Sequence, residues 1–196
     1  MIYTATITSA SLRLRESRIV ADLLLQAVTG EAWKEAILTQ NVLQMGSAVS
    51  IKRISRLLRT RLEPLGEGMW KMVRDGGRTQ ATQAVFASAV KHSRLLGDFM
   101  DITIREQRTL FAKKLEYGMW SEYIAGCRGR DPDMPHWSDA TVTRLRSAVF
   151  SMLTEAGYLK DTRSLYLQNV FVDTQLADYL RDRGETYVLR CLEVTE

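Results

Sequence analysis

From Ala36 to Leu62 the chain carries no acidic residue, and within that window a strong helical period emerges. Ser47 has the chemistry of an N-cap. Ile51, Ile54, Leu58 and Leu62 then recur at helical spacing, so residues 47–62 must present one apolar face to a core. Lys52, Arg56 and Arg59 follow one another at i, i+4 and i+7 on a second face, with Arg53 beside them, while Arg61 falls away from that stripe. A solvated helix ordinarily intersperses acids that pair with such bases at i, i+4. Their absence leaves two readings: a basic face that is simply hydrated, or a stripe whose counter-charges are phosphates supplied by a nucleic-acid backbone. On the second reading the DNA-contacting residues are Lys52, Arg53, Arg56 and Arg59, with Arg13 and Arg15 as a weaker second cluster.

The same period runs through most of the chain, which predicts a mainly α protein. Helices are expected over Ser11–Val28 with Gly30 as its C-terminal cap, Glu31–Thr39, Ser47–Leu62 and Met69–Arg74. A single long pattern, bent at Gly97, covers Thr79–Phe111. The connector Asn41–Gly46 between the second and third of these makes residues 47–62 the second helix of a candidate helix-turn-helix, although it is longer than the usual turn. Further helices are expected over Trp120–Cys127, from Ser138 through Glu155 to a stop at Gly157, and from Asp173 to Arg183. In Ser164–Val172 apolar and β-branched residues flank Gln168-Asn169, which reads as a β-hairpin, with a further strand over Thr186–Val194. The pattern divides the chain into a helical domain, 1–115, and a small winged-helix-like part, 116–196.

Charge follows the same division. Residues 1–117 hold 18 Lys and Arg against 11 Asp and Glu, and residues 118–196 hold 9 against 12. The basic half suits an anionic partner; the acidic part, with an unpaired hairpin edge, suits protein contacts. Cys127 and Cys191 are far apart and form neither a C-x-x-C nor a zinc pattern, which fits a reducing, cytoplasmic setting. No secretory leader or bilayer-length apolar run is read in the sequence. His92, Ser93, Asp98 and Asp101 hold the residue types of a catalytic triad, but neighbours on a helix point about 100° apart, so His92 cannot face Ser93 as a base. The spacing instead predicts the ion pairs Arg94–Asp98 and Asp101–Arg105. No metal, cofactor or small-molecule substrate is implied.

Several stretches carry a resemblance: Glu16–Val20, Lys91–Met100, Glu155–Leu159 with Thr162–Leu165, and Tyr187–Cys191. They resemble the BrxA family of bacteriophage-exclusion (BREX) defence systems over nearly the whole chain. The resemblance implies a non-catalytic, double-stranded-DNA-binding component that works with other defence-system proteins, with a helical fold likened to the antitermination factor NusB. A protein–protein adaptor without nucleic-acid binding stands as the alternative, and an RNA-binding role as a weaker one.

Overall fold

Helix α5, Arg78–His92, is the axis of the molecule: its stretch from Ala81 to Val90 is buried on nearly every side. Four alanines in that stretch, Ala81, Ala84, Ala87 and Ala89, keep the helix thin enough for others to close around it. In this computed structural model, whose described residues are 2–9 and 11–194, α1 (Leu14–Leu25), α3 (Ala48–Leu62) and α4 (Gly66–Asp75) pack against α5. So do α10 (Thr174–Asp182) and α11 (Thr186–Leu192) from the far end of the chain. Between α1 and α3, helix α2 (Gly30–Lys34) runs on into one π-helical turn, Glu35–Thr39. After α5 come α6 (Arg94–Asp98), a π-helical segment Phe99–Ile104, α7 (Arg105–Thr109), α8 (Tyr117–Arg130) and α9 (Asp139–Glu155).

The second packing centre is aromatic. Phe99 lies edge-on to Trp120 and Tyr123, with ring centroids 5.2 and 5.1 Å away, and Phe150 is 6.1 Å from it. These side chains join the π-helical segment to α8 and α9. The buried apolar core runs without a break from Leu12 and Val20 through α5 to Leu153, Leu180 and Leu192.

Several local expectations match the structure. Ser47, Ser138 and Asp173 each accept a backbone N–H as N-caps, from Ser50, Thr141 and Leu176. Gly157, at φ 86°, stops the chain after α9 as its position suggests. The predicted ion pairs are present, Arg94–Asp98 at 2.9 Å and Arg105–Asp101 at 3.2 Å.

Others are corrected. The long helix expected over Thr79–Phe111 breaks at Ser93, whose extended backbone (φ −125°, ψ 103°) ends α5 and whose Oγ caps α6. Gly97 does not bend the chain; a Cβ there would run into the Tyr187 hydroxyl, so glycine lets α11 approach α6. Among the described residues there is no β-strand, so the hairpin, the Thr186–Val194 strand and the winged-helix form are all overturned.

The segment 164–172 is half-buried, with Leu165, Leu167 and Val170 inside and Tyr166 and Phe171 exposed. Its pairing is not with itself. The peptide at 165–168 threads between two other segments: Leu115 N–H donates to the Leu165 carbonyl at 3.0 Å, and Lys160 N–H to that of Tyr166 at 2.9 Å. Only isolated bridges result, Lys114 with Tyr166 and Leu159 with Leu167. In Thr186–Leu192 the buried residues are Val188, Leu189, Cys191 and Leu192, a helical set that docks on α5 and α6. Packing there overrides the β-branched composition.

Helix α1 also ends earlier than expected. Val28 N–H donates to the Leu23 carbonyl and Ala27 N–H to that of Leu24, both at 3.0 Å, a Schellman closure with Ala27 at φ 53°. Gly30, expected as the cap, instead opens α2. An exposed alanine therefore occupies a left-handed position that favours glycine. Ala27→Gly is expected to stabilise the fold by about 0.5–1 kcal/mol and Ala27→Val to destabilise it, read from urea denaturation midpoints.

Candidate nucleic-acid interface

Helix α3 is held by its apolar stripe. Ile51, Ile54, Leu58 and Leu62 are buried against α1, α4 and α5, which turns the opposite face outward. Lys52, Arg53 and Arg56 stand exposed on that face, and none of the three forms an ion pair among the described residues. The acid-free window explains this locally: the nearest acid in sequence, Glu63, is one helical turn past Arg59 and takes Arg59 (Nε to Oε1, 2.6 Å). Arg59 also lies over the Trp33 ring at 4.5 Å, so it joins α3 to α2 as well as lying on the basic stripe.

Two grooves flank this ridge. One, of about 680 Å³, runs between α3 and the end of α5, with Lys52, Arg53 and Arg56 on one wall and His92 and Thr6 among its other lining residues. The second, of about 440 Å³, has an apolar wall of Trp33, Ile37 and Leu38, with Lys52, Arg56 and Arg59 facing it. Among the described residues no acidic side chain lines either groove. Lys52 and Arg56 line both, so they form the crest between them.

The other basic candidates sit elsewhere. Arg13 pairs with Glu16 at 3.3 Å, and Arg15 donates to the Gln44 side chain in the connector ahead of α3. Neither lines a groove of α3. Arg18 is spent on structure, donating to the carbonyls of Arg74 and Gly76 at 2.8 Å each. Arg61 points inward and is 1% exposed. It donates through Nη1 to the Ser11 carbonyl, 3.2 Å away, while its Nε and Nη2 have no hydrogen-bond partner. Burial pulls its pKa down to about 10, partly offset by the charge of Glu155.

His92 was not among the basic candidates, because forty residues of sequence separate it from Lys52 and nothing local links the two. The structure sets them in one groove. Burial, and then the positive charge of Arg61, holds the imidazole below its ordinary value and so disfavours its charged form. Ser93, two per cent exposed, is an N-cap. Asp98 accepts from the hydroxyls of Tyr3 and Tyr187 at 2.8 and 2.7 Å, and Asp101 from Arg105 and Arg190. Cys127 and Cys191 are both free and buried.

Fold and surface together define a helical protein with one unpaired basic ridge between two grooves. The sequence model of the BrxA family matches residues 1–184, and the chain belongs to that family, the BrxA proteins of BREX phage-defence systems. It is 47% identical over 193 residues to BREX protein BrxA of Paramagnetospirillum magneticum, covering 98% of this chain and 97% of that one. BREX protein BrxA of Escherichia coli O9:H4 is 29% identical over 179 residues, 91% and 84% of the respective chains. A crystal structure of a protein from Magnetospirillum magneticum superposes with a TM-score of 0.93 at 46% identity, covering 99% of this chain and all of that one. Among the described residues no helix is long and apolar enough to cross a membrane.

The geometry separates the roles of the stripe residues. Lys52→Gln and Arg56→Gln remove exposed, unpaired charges and should change unfolding free energy by less than about 0.5 kcal/mol. Arg59→Gln loses both the Glu63 pair and the Trp33 face and should cost about 0.5–1.5 kcal/mol in the same urea titration.

Proposed function

We propose that this BREX component binds duplex DNA through the ridge of α3, without reading base sequence, and acts in phage defence together with other defence-system proteins. The observation that carries the reading is the set Lys52, Arg53 and Arg56: three exposed cations with no ion pair among the described residues, on a helix preceded by no acid back to Glu35. Unpaired cations at this spacing track a phosphate backbone and release its condensed counterions. Phosphate contacts of this kind hold the duplex without specifying bases. The two flanking grooves support the reading, since a protruding helix with open channels on either side leaves room for a sugar-phosphate strand beside it. Arg59 adds to the local potential while staying tied to Trp33 and Glu63.

The test is a salt titration of duplex DNA, single-stranded DNA and RNA in parallel. Duplex binding should weaken with salt along a log–log slope of about −3 to −4, as three or four neutralised phosphates require. Replacing Lys52, Arg53 and Arg56 together with Gln should shrink that slope by roughly 2.7, at about 0.9 per lost phosphate, and lower affinity alike for all sequences. Gln is close to Lys and Arg in helix propensity, so circular dichroism should show the helix content unchanged. No binding of duplex at 50 mM salt would favour the adaptor reading, and tighter binding of RNA than duplex would favour the RNA reading.

A further inference from the structure

The α3 groove holds a titratable group that the basic stripe alone does not explain. His92 closes α5 and faces the cations of α3 across about 680 Å³ of open space. We infer that His92 is a phosphate-contacting residue of this groove, and that occupation of the groove by a backbone phosphate is coupled to uptake of one proton by its imidazole. The inference rests on the reading of α3 as the nucleic-acid face and specifies where on that face a phosphate sits.

Four observations carry it. Among the described residues the groove lining contains Lys52, Arg53 and Arg56 and no carboxylate, so an anion is the ligand its charge accepts. Other donors nearby are already committed: the Thr60 hydroxyl donates to the Arg56 carbonyl at 2.9 Å, and Lys91 and Arg94 are turned to Glu185 and Asp98. His92 is therefore the lining group on the α5 side with a donor to give. Behind it lies Arg61, whose charge reaches the imidazole and whose Nε and Nη2 find no partner. A buried cation with two unmatched N–H groups leaves a positive field that an anion in the groove would offset.

Among the described residues the charged groups about His92 are Lys52, Arg53 and Arg56 in the groove lining and Arg61 within the core, whose charge is partly offset by Glu155. Its acidic neighbours in the chain are engaged by Arg94 and by Arg105 with Arg190. In the free protein burial first, and then the charge of Arg61, holds the imidazole below its ordinary value. A phosphate placed among those cations reverses the local sign and favours the imidazolium, which then donates a charge-assisted hydrogen bond. The sign of the linkage follows. Between the lowered value of the free state and the raised value of the complex, binding takes up a proton, so affinity increases as pH falls. A rise of one pKa unit on binding caps the gain at about tenfold.

The chain has two histidines, and His136 lies exposed in the loop before α9, which makes it an internal control. The experiment follows both imidazoles by NMR from pH 5.5 to 8, free and saturated with a 20-base-pair duplex, and measures duplex affinity over the same range at fixed salt. Three results are expected together: the His92 titration moves up by about one unit in the complex with no matching change at His136; affinity is about three- to sixfold tighter at pH 6 than at pH 8, approaching the tenfold cap only at lower pH; and His92→Gln binds without pH dependence. His92→Lys, which fixes the charge, should bind at pH 8 at least as tightly as the native chain does at pH 6. Duplex binding with an unmoved His92 titration, or with a pH dependence that survives His92→Gln, overturns this inference and leaves the basic ridge standing. Absence of duplex binding at every pH overturns both.

Discussion

The constraint on which the structure turns is the burial of α5. Where α1, α3, α4, α10 and α11 enclose it, from Ala81 to Val90, the helix offers no polar face to water, so this stretch must be mostly apolar and small where neighbours approach. The alanines of α5 meet the second demand. Its one long polar side chain in the enclosed stretch, Gln83, is satisfied on both sides: it donates to the Phe171 carbonyl at 2.9 Å and accepts from Asp173 N–H at 2.8 Å. Those two bonds fix the chain at the start of α10. A buried amide left without them would cost more than it contributes.

Buried carboxylates set the remaining long-range order. Asp98 gathers the Tyr3 and Tyr187 hydroxyls and Arg94, joining the N-terminal segment, α6 and α11. Tyr3 in turn accepts from Arg130 at the end of α8, and burial raises its phenol to about 12. Asp131, just past α8, takes the backbone N–H groups of Ile2 and Tyr3, 129 and 128 residues away in sequence, so the first described residues are docked onto the end of that helix. A carboxylate this deep persists because its partners are in place, and removing one partner leaves the charge uncompensated. The Ser-His-Asp residues that invite a catalytic reading are thus distributed between a cap, a groove wall and this network.

The electrostatic character of α3 follows from how α5 is enclosed. Because the apolar stripe of α3 faces the core, Lys52, Arg53 and Arg56 must face away from it, and the acid-free sequence denies them intrachain counter-charges. Arg61 is the exception: it sits on the stripe side of the helix, is buried with it, and pays in unmatched N–H groups. The two sets meet at His92, which lines the groove with Lys52, Arg53 and Arg56 and feels the charge of Arg61.

By itself the sequence determined the helices whose own residues carry the code. Ser47, Ser138 and Asp173 announce caps, Gly157 a stop, and the 3.6-residue recurrence of Ile51, Ile54, Leu58 and Leu62 fixes which face of α3 turns inward, hence which cations are exposed. Spacing alone also gave the pairs Arg94–Asp98 and Asp101–Arg105. Only the tertiary structure decided the rest. The apolar residues on either side of Gln168-Asn169 suggest a self-paired hairpin, but the segment pairs instead with 113–115 and 158–160, and no local pattern encodes that. Residues 186–192 are β-branched in part yet helical, because a helix is what buries Val188, Leu189, Cys191 and Leu192 together against α5 and α6. In sequence His92 invites comparison only with its neighbours Ser93, Asp98 and Asp101, and it becomes a wall of the basic groove only when α5 and α3 pack. Local propensity and period act over a turn or two of chain; partners, grooves and fields arise between segments far apart in sequence, and packing selects them.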